Sequence, residues 1–231
     1  MYSFDLQGLW RELPLAFVDL ETTGRYPDRD RIIEVGVVTY RGGAAVERWG
    51  AIVHPDMPIP PDSTEVHGIT DEMVDGEPPF RELAWEVYRR LRDRVLVAYN
   101  GLSFDVPFLE QEFARCGMTL PMAPSLDPMM WVFKKMPSRS GWPRALATVC
   151  ERLGIDNPEA HRAVADCEAL AQATFRLAEQ VPPTLGDLLT QQAQWREEFL
   201  VLKRERDERD AAKRAAREPE PEPDDGQGGW F

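Results

Sequence analysis

The chain has 231 residues, 43% of them hydrophobic and 10% aromatic, a size and make-up that suit one sizeable globular core with an extension. Its formal net charge of −13 excludes a broadly basic nucleic-acid coat, since phosphate contacts through Lys and Arg need local positive potential. A nucleic-acid enzyme stays open, because carboxylates can hold divalent cations that in turn meet phosphate. No run approaches the roughly 18 apolar residues of a membrane span. The opening MYSFDLQGLWRELP lacks the basic stretch and apolar core of a signal peptide, so a cytoplasmic protein without membrane contact is expected. Cys116, Cys150 and Cys167 lack the paired spacing of a zinc site and read as reduced structural thiols.

In chain order, Leu15 to Leu20, Arg31 to Tyr40 and Val46 to Val53 are rich in Val, Ile and aromatics and are separated by turn formers, Arg41-Gly42-Gly43 among them. They predict an antiparallel meander. The stretch HPDMPIPPDS reads as a proline-rich loop. Phe80 to Arg92 has helical spacing, and Arg94 to Asn100 reads as a buried strand. Helices are predicted over Asp105 to Cys116, Pro143 to Leu153 and His161 to Glu179, with a short strand near Leu120 to Leu126. Strands followed by alternating strands and helices define an α/β layer architecture. Its boundary is set near Gln180, where VPPT breaks the helix. The expected organisation is a main domain over 1–180, a helical extension over 181–217 and a disordered acidic tail over 218–231, where acid and proline alternate.

The stretch FVDLETTG puts Asp19 and Glu21 at the end of an apolar strand, two apart and therefore on one face. Adjacent carboxylates repel and take up protons unless a cation sits between them. Asp105 opens a helical pattern just beyond the strand that ends at Asn100, where it reads as a helix cap or as a third acid at a site-forming sheet edge. In AHRAVADCEALAQ, His161 stands at a helix start with Asp166 five residues on. Imidazole titrates near pH 6.5, about right for a general base.

These blocks resemble the motifs of the DEDDh exonuclease family, the group that includes the proofreading subunit of bacterial replicative DNA polymerase and ribonuclease T. VDLETTG resembles the first motif, AYNGLSFDVPFL the second and HRAVADCEAL the third. The linking pieces VHGITDEM and LATVCERLGI are also similar, so the resemblance runs from about Leu15 to Glu179. Arg162 stands where the sister branch would have tyrosine, which places the chain with the histidine branch. Many relatives have His-Asn before the second motif and a gap of two. Here the text is Tyr99-Asn100 and the gap is Gly101-Leu102-Ser103, which blurs the subfamily.

The resemblance implies an RNase H-like mixed sheet flanked by helices and hydrolysis from the 3′ end of nucleic acid, releasing nucleoside 5′-monophosphates. Asp19, Glu21, Asp105 and Asp166 would hold two divalent cations, Mg²⁺ or Mn²⁺, about 4 Å apart, and His161 would take the proton of the attacking water. For substrate positioning it implies the Thr22-Thr23-Gly24 backbone, His67 and Ile69, with Asn100 and Phe104 beside the second motif. Ile69 and Phe104 also read as core residues. Single-stranded DNA is the expected substrate, in replication or repair. RNA is the alternative within the enzyme class, and a non-catalytic adaptor on the same fold the alternative outside it. The tail's terminal Trp230-Phe231 pair behind a run of acids reads as a solvated end or as a docking peptide for a polymerase, a clamp or another replication or repair protein.

Overall fold

The computed structural model describes residues 4–136, 138 and 142–215. Three strands come first: β1 (Leu15–Thr22), β2 (Ile32–Arg41) and β3 (Ala44–Ile52). Both neighbouring pairs are antiparallel, which is the predicted meander. The β2–β3 connection is a two-residue turn at Gly42 and Gly43, both at positive φ. Only such residues follow the twist of a tight hairpin without a side-chain clash. Strands β4 (Val95–Val97) and β5 (Ser125–Leu126) then add parallel to β1, giving one five-stranded sheet of order β3-β2-β1-β4-β5. Among the described residues it is a mixed sheet with β1 at its centre, which explains why β1 is apolar on both faces. The edge strand β3 alternates half-buried and exposed residues instead.

Helices cover both faces. On one, α3 (Phe80–Leu91) and α4 (Asp105–Arg115) pack Phe80, Val87, Phe108 and Phe113 against Ala16, Val18, Leu20, Val35 and Val37. On the other lies α7 (Ala163–Arg176), whose Phe175 sits 6.0 Å from Phe17, 5.3 Å from Tyr40 and 6.1 Å from Trp10 between ring centroids. Alternation along β1 thus sends even-numbered residues toward α3 and α4 and odd-numbered ones toward α7.

Further helices lie outside these layers. The proline-rich stretch, read as loop, forms α1 (Pro61–His67), followed by the single turn α2 (Asp71–Val74). The reason is local: Pro61 sits in the first turn, where its missing N–H costs nothing, and Gly68 at φ 73° closes the helix. After β5, Asp127 accepts from the Met129 N–H at 3.0 Å and starts α5 (Pro128–Lys135), also not predicted. The helix expected over Pro143 to Leu153 is α6 (Leu146–Leu153), and the one expected from His161 begins only at Ala163, with Arg162 as its N-cap. His161 belongs to the preceding turn.

The long helix expected beyond Thr184 is α8 (Leu185–Ala215). The chain divides into two units, Met1–Trp195 and Arg196–Phe231, so the start of α8 belongs to the first. In the second, the described helix carries ion pairs from Asp210 to Arg206 at 3.7 Å and to Lys213 at 3.9 Å. The acidic tail 218–231 lies outside the described residues. Cys116, Cys150 and Cys167 are free thiols. No helix among the described residues is long and apolar enough to cross a membrane.

Candidate active site

Asp19 and Glu21 lie on the β1 face that α7 covers. Directly across β2 stand Gly36 opposite Asp19 and Glu34 opposite Glu21, and Gly50 of β3 pairs with Gly36. The two glycines decide how closely α7 approaches. A Cβ on Gly36 would stand 2.4 Å from the Ala163 carbonyl carbon, and one on Gly50 would stand 2.5 Å from Val164 Cγ2. The first meets backbone that cannot give way and the second crowds a side chain, so the lane of bare backbone is what lets the first turn of α7 rest on the sheet. The Cys167 thiol fixes the contact by donating to the Gly36 carbonyl at 3.4 Å.

This docking delivers Asp166 to Glu21. Ligand atoms of Glu21, His161 and Asp166 lie within 4.8 Å of one another. One Asp166 oxygen accepts from Asn157 Nδ2 at 2.7 Å, and the other accepts from the His161 backbone N–H at 2.9 Å. His161 is exposed and held at φ 67°, a conformation that a non-glycine residue keeps only when its surroundings enforce it.

Asp105 comes from the other side of β1. It is the first residue of α4 and not its cap, a position taken by Phe104, because its carboxylate, 4% exposed, turns toward β1. Burial pushes its pKa up to about 8, its own N–H opposes this, Asp127 adds to it, and the Leu20 N–H opposes it again. Glu21 is also pushed up to about 8, first by burial and then by Asp166, Glu34 and Asp105, with Arg162 pulling the other way. Asp19 is raised well above the carboxylate range by burial and then by Asp105, Asp166, Glu21 and Glu34. Acids so crowded hold protons unless cations replace them.

A cleft of about 540 Å³ gathers these groups: Asp19, Glu21, Asp105, His161 and Asp166 line it together with Asn100, Phe104, Tyr99 and Asn157. The five predicted catalytic and ligand residues therefore share one cavity. Asn100, at φ 62°, is anchored by its N–H donating to Asp127 Oδ1 at 2.9 Å. Phe104 is half-buried, 4.9 Å from Phe108 between ring centroids, so it both packs and lines.

The remaining predicted positioning residues are not among those lining that cleft. Thr22 donates to the Gly24 carbonyl at 2.6 Å, and the Thr23 hydroxyl accepts from the Arg31 N–H at 2.9 Å. Gly24 has no room for a Cβ, which would meet Asp30 Oδ2 at 2.3 Å. His67 is 7% exposed. Its Nδ1 accepts from the Ile69 N–H at 3.0 Å, and its Nε2 is buried without a hydrogen-bond partner. Burial holds its pKa low, with the Thr22 backbone opposing and His161 reinforcing. Ile69 is fully buried among Ile33, Ile59 and Val74, the core position that was one of its two readings.

Two neighbours carried no motif in the sequence. Asn157 sits in a loop read only as a separator. Glu34, 5% exposed, becomes a site residue only through its cross-strand register, a signal obtainable by aligning the two strand patterns about their turn.

The donor set is one that hard divalent cations select: all-oxygen carboxylates from several elements, protonated for want of countercharge, with an imidazole alongside. Such a site, at the ends of parallel strands in a mixed sheet flanked by helices, defines an acid-rich hydrolase centre on an RNase H-like fold. The family described as exonuclease, of the RNase T type, matches residues 16–174, and the chain belongs to it, among the DEDD-type 3′–5′ exonucleases.

The 3′–5′ exonuclease DinG of Staphylococcus haemolyticus is 31% identical over 170 residues, which are 72% of this chain and 19% of that one. The DNA polymerase III subunit epsilon of Treponema pallidum is 41% identical over 98 residues, 42% of this chain and 45% of that one. Among solved structures, Escherichia coli exonuclease I in complex with a dT13 oligonucleotide superimposes with a TM-score of 0.64 at 18% identity, over 72% of this chain and 41% of that one. A zinc-bound form of that enzyme with single-stranded DNA is also similar, with a TM-score of 0.65 at 18% identity, over 73% of this chain and 41% of that one. The chain thus spans less than half the length of these relatives.

Proposed function

We propose that the chain is a metal-dependent 3′–5′ exonuclease that removes nucleoside 5′-monophosphates from a nucleic-acid end, with single-stranded DNA as its substrate, in replication or repair in the cytoplasm. The observation that carries the reading is the convergence of Asp19, Glu21, Asp105, Asp166 and His161 in one cleft of about 540 Å³. The names of the relatives support DNA over RNA. The intact set of four acids and a histidine speaks against a non-catalytic adaptor.

Asp19, Glu21, Asp105 and Asp166 would hold two ions, Mg²⁺ or Mn²⁺. When bound, these neutralise the phosphate and acidify the attacking water. His161 takes that water's proton as the oxygen attacks phosphorus. The bond from phosphorus to the 3′ oxygen breaks, and the departing oxygen is protonated from solvent. Asn157 and the His161 N–H keep Asp166 aimed at Glu21. Asn100 and Phe104, which line the same cleft, flank the terminal nucleotide; Phe104 offers a ring to its base, a contact that tolerates any sequence. Thr22, Thr23, Gly24 and His67 shape the backbone beside Glu21 against which the terminal sugar is set. The tail 218–231 reads as a solvated end, with a docking peptide for a replication or repair protein as the alternative.

The test is digestion of matched DNA and RNA oligonucleotides labelled at the 3′ end, with Mg²⁺, Mn²⁺ or chelator. Release of labelled mononucleotide from DNA only with metal is expected. Faster release from RNA would move the substrate to that class, and an intact label under every condition would leave the adaptor.

A further inference from the structure

We infer that Glu34 is a positioning residue for hydrolysis, acting through Arg162 on His161. The inference rests on the reading of His161 as general base. Glu34 stands opposite Glu21 on the face toward α7 and is 5% exposed. A further carboxylate there adds repulsion to a site already crowded with acids, so its presence calls for a purpose other than charge.

Its contacts supply one. Glu34 Oε1 pairs with Arg162 Nη2 at 3.0 Å, and Oε2 accepts from the Ala163 N–H at 3.3 Å. Both oxygens are engaged, and both partners are the residues that directly follow His161. Glu34 is thus a clamp on the turn before α7 and not a fifth ligand. That turn needs one. His161 sits at φ 67°, and a strained residue keeps its shape only where flanking contacts over-determine it. Upstream, the Arg162 N–H donates to the Glu159 carbonyl at 3.2 Å, and the His161 N–H reaches Asp166 Oδ2 at 2.9 Å. Downstream, the hold is Glu34. Loosening it frees the ring to leave Glu21 and Asp166 while the acids themselves stay in place.

The test compares Glu34→Ala, Arg162→Ala and Arg162→Lys in the full chain, each alone and together with His161→Ala, on a 3′-labelled single strand in saturating Mg²⁺. Glu34→Ala and Arg162→Ala should lower kcat about 10–100-fold, the usual cost of losing a group that orients a catalytic one, with KM nearly unchanged. Arg162→Lys should recover most of the loss. In the His161→Ala background none of them should cost more than about twofold, because the residue they position is gone.

A second readout needs no activity. The chain has three histidines, and in the metal-free protein Glu34→Ala should shift or broaden the His161 ring signal in NMR while leaving that of His54 alone. An equal loss of rate with and without His161, or an unmoved His161 signal, would overturn the inference. If the wild type cut nothing, the hydrolytic reading would fall, and the NMR signal would still report whether Glu34 holds the ring. Arg162 is 44% exposed, so its variants keep the test open should Glu34→Ala fail to fold.

Discussion

Asp19 sits in β1 between buried Val18 and Leu20, and its carboxyl is pushed up by burial and by four other acids. Asp19→Asn and Asp166→Asn should therefore do two opposite things. Hydrolysis should fall about 10³-fold or more, since several kcal/mol of charge stabilisation at the phosphate disappear. The metal-free protein should melt no lower than the wild type, because repulsion is relieved. A variant cutting at wild-type rate would remove its residue from the site. Glu21 gives a sign for pH. Its ordinary value is 4.5 and in the fold it reaches about 8, so between those values the folded state keeps a proton that the unfolded state has released. The contribution of Glu21 to stability in chelator is then fully present below pH 4.5 and is lost as pH rises toward 8. Melting in chelator at the two ends of that window should show the drop, Glu21→Gln should reduce it, and Mg²⁺ should raise the midpoint more at the alkaline end. Each kcal/mol recovered is worth about 2–4 °C for a domain of this size. His161→Ala should cost about 10²–10⁴-fold in rate and flatten its rise with pH. An unchanged profile would assign the base role to solvent.

At the scale of elements, the glycine lane is the most exacting joint. Gly36→Ala drives a Cβ into the Ala163 backbone, whereas Gly50→Ala meets only the Val164 side chain. Overpacking of this kind costs about 1–3 kcal/mol. Gly36→Ala should be the more destabilising in a thermal melt, and it should also lower kcat by lifting α7, and with it Asp166, off the sheet. Equal effects would show that the two contacts relax alike. Much at this scale was legible beforehand. The meander, the buried strand at Val95–Val97 and helices α3 and α4 followed from periodicity and turn formers, because each buries an apolar face with a plain repeat. The helices α1 and α5 did not: the stretch around Pro61 was read as loop and nothing was read over Pro128 to Lys135, although each proline marks a first turn. The acids that line the cleft were legible from their motifs. Glu34 was not, because register is a property of a pair of strands, and a single strand pattern does not carry it.

For the whole molecule, the net charge of −13 opposes the approach of phosphate, so on the proposed metal-dependent reading the rate should track metal concentration and not merely require a trace. The acidic tail belongs at this scale too. A chain ending at Arg217 should digest short oligonucleotides as fast as the full one and lose only recruitment to a partner assembly, tested by pull-down at low and moderate salt. Identical recovery by both would reduce the tail to a solvated end. The residues proposed as catalytic are spread along the chain in an order that bears on its synthesis. Asp19 and Glu21 emerge with the first strand, Asp105 follows after β4, and His161 and Asp166 arrive only with the last helix of the sheet layer. A chain leaving the ribosome can fold its local β1–β2–β3 hairpins early, since sequential domains form as they appear. It has no complete site until α7 docks on Gly36. A fragment that stops before Ala163 holds Asp19, Glu21, Asp105 and His161 but lacks Asp166, so on the proposed reading three of the four acids are made before the chain can cut nucleic acid.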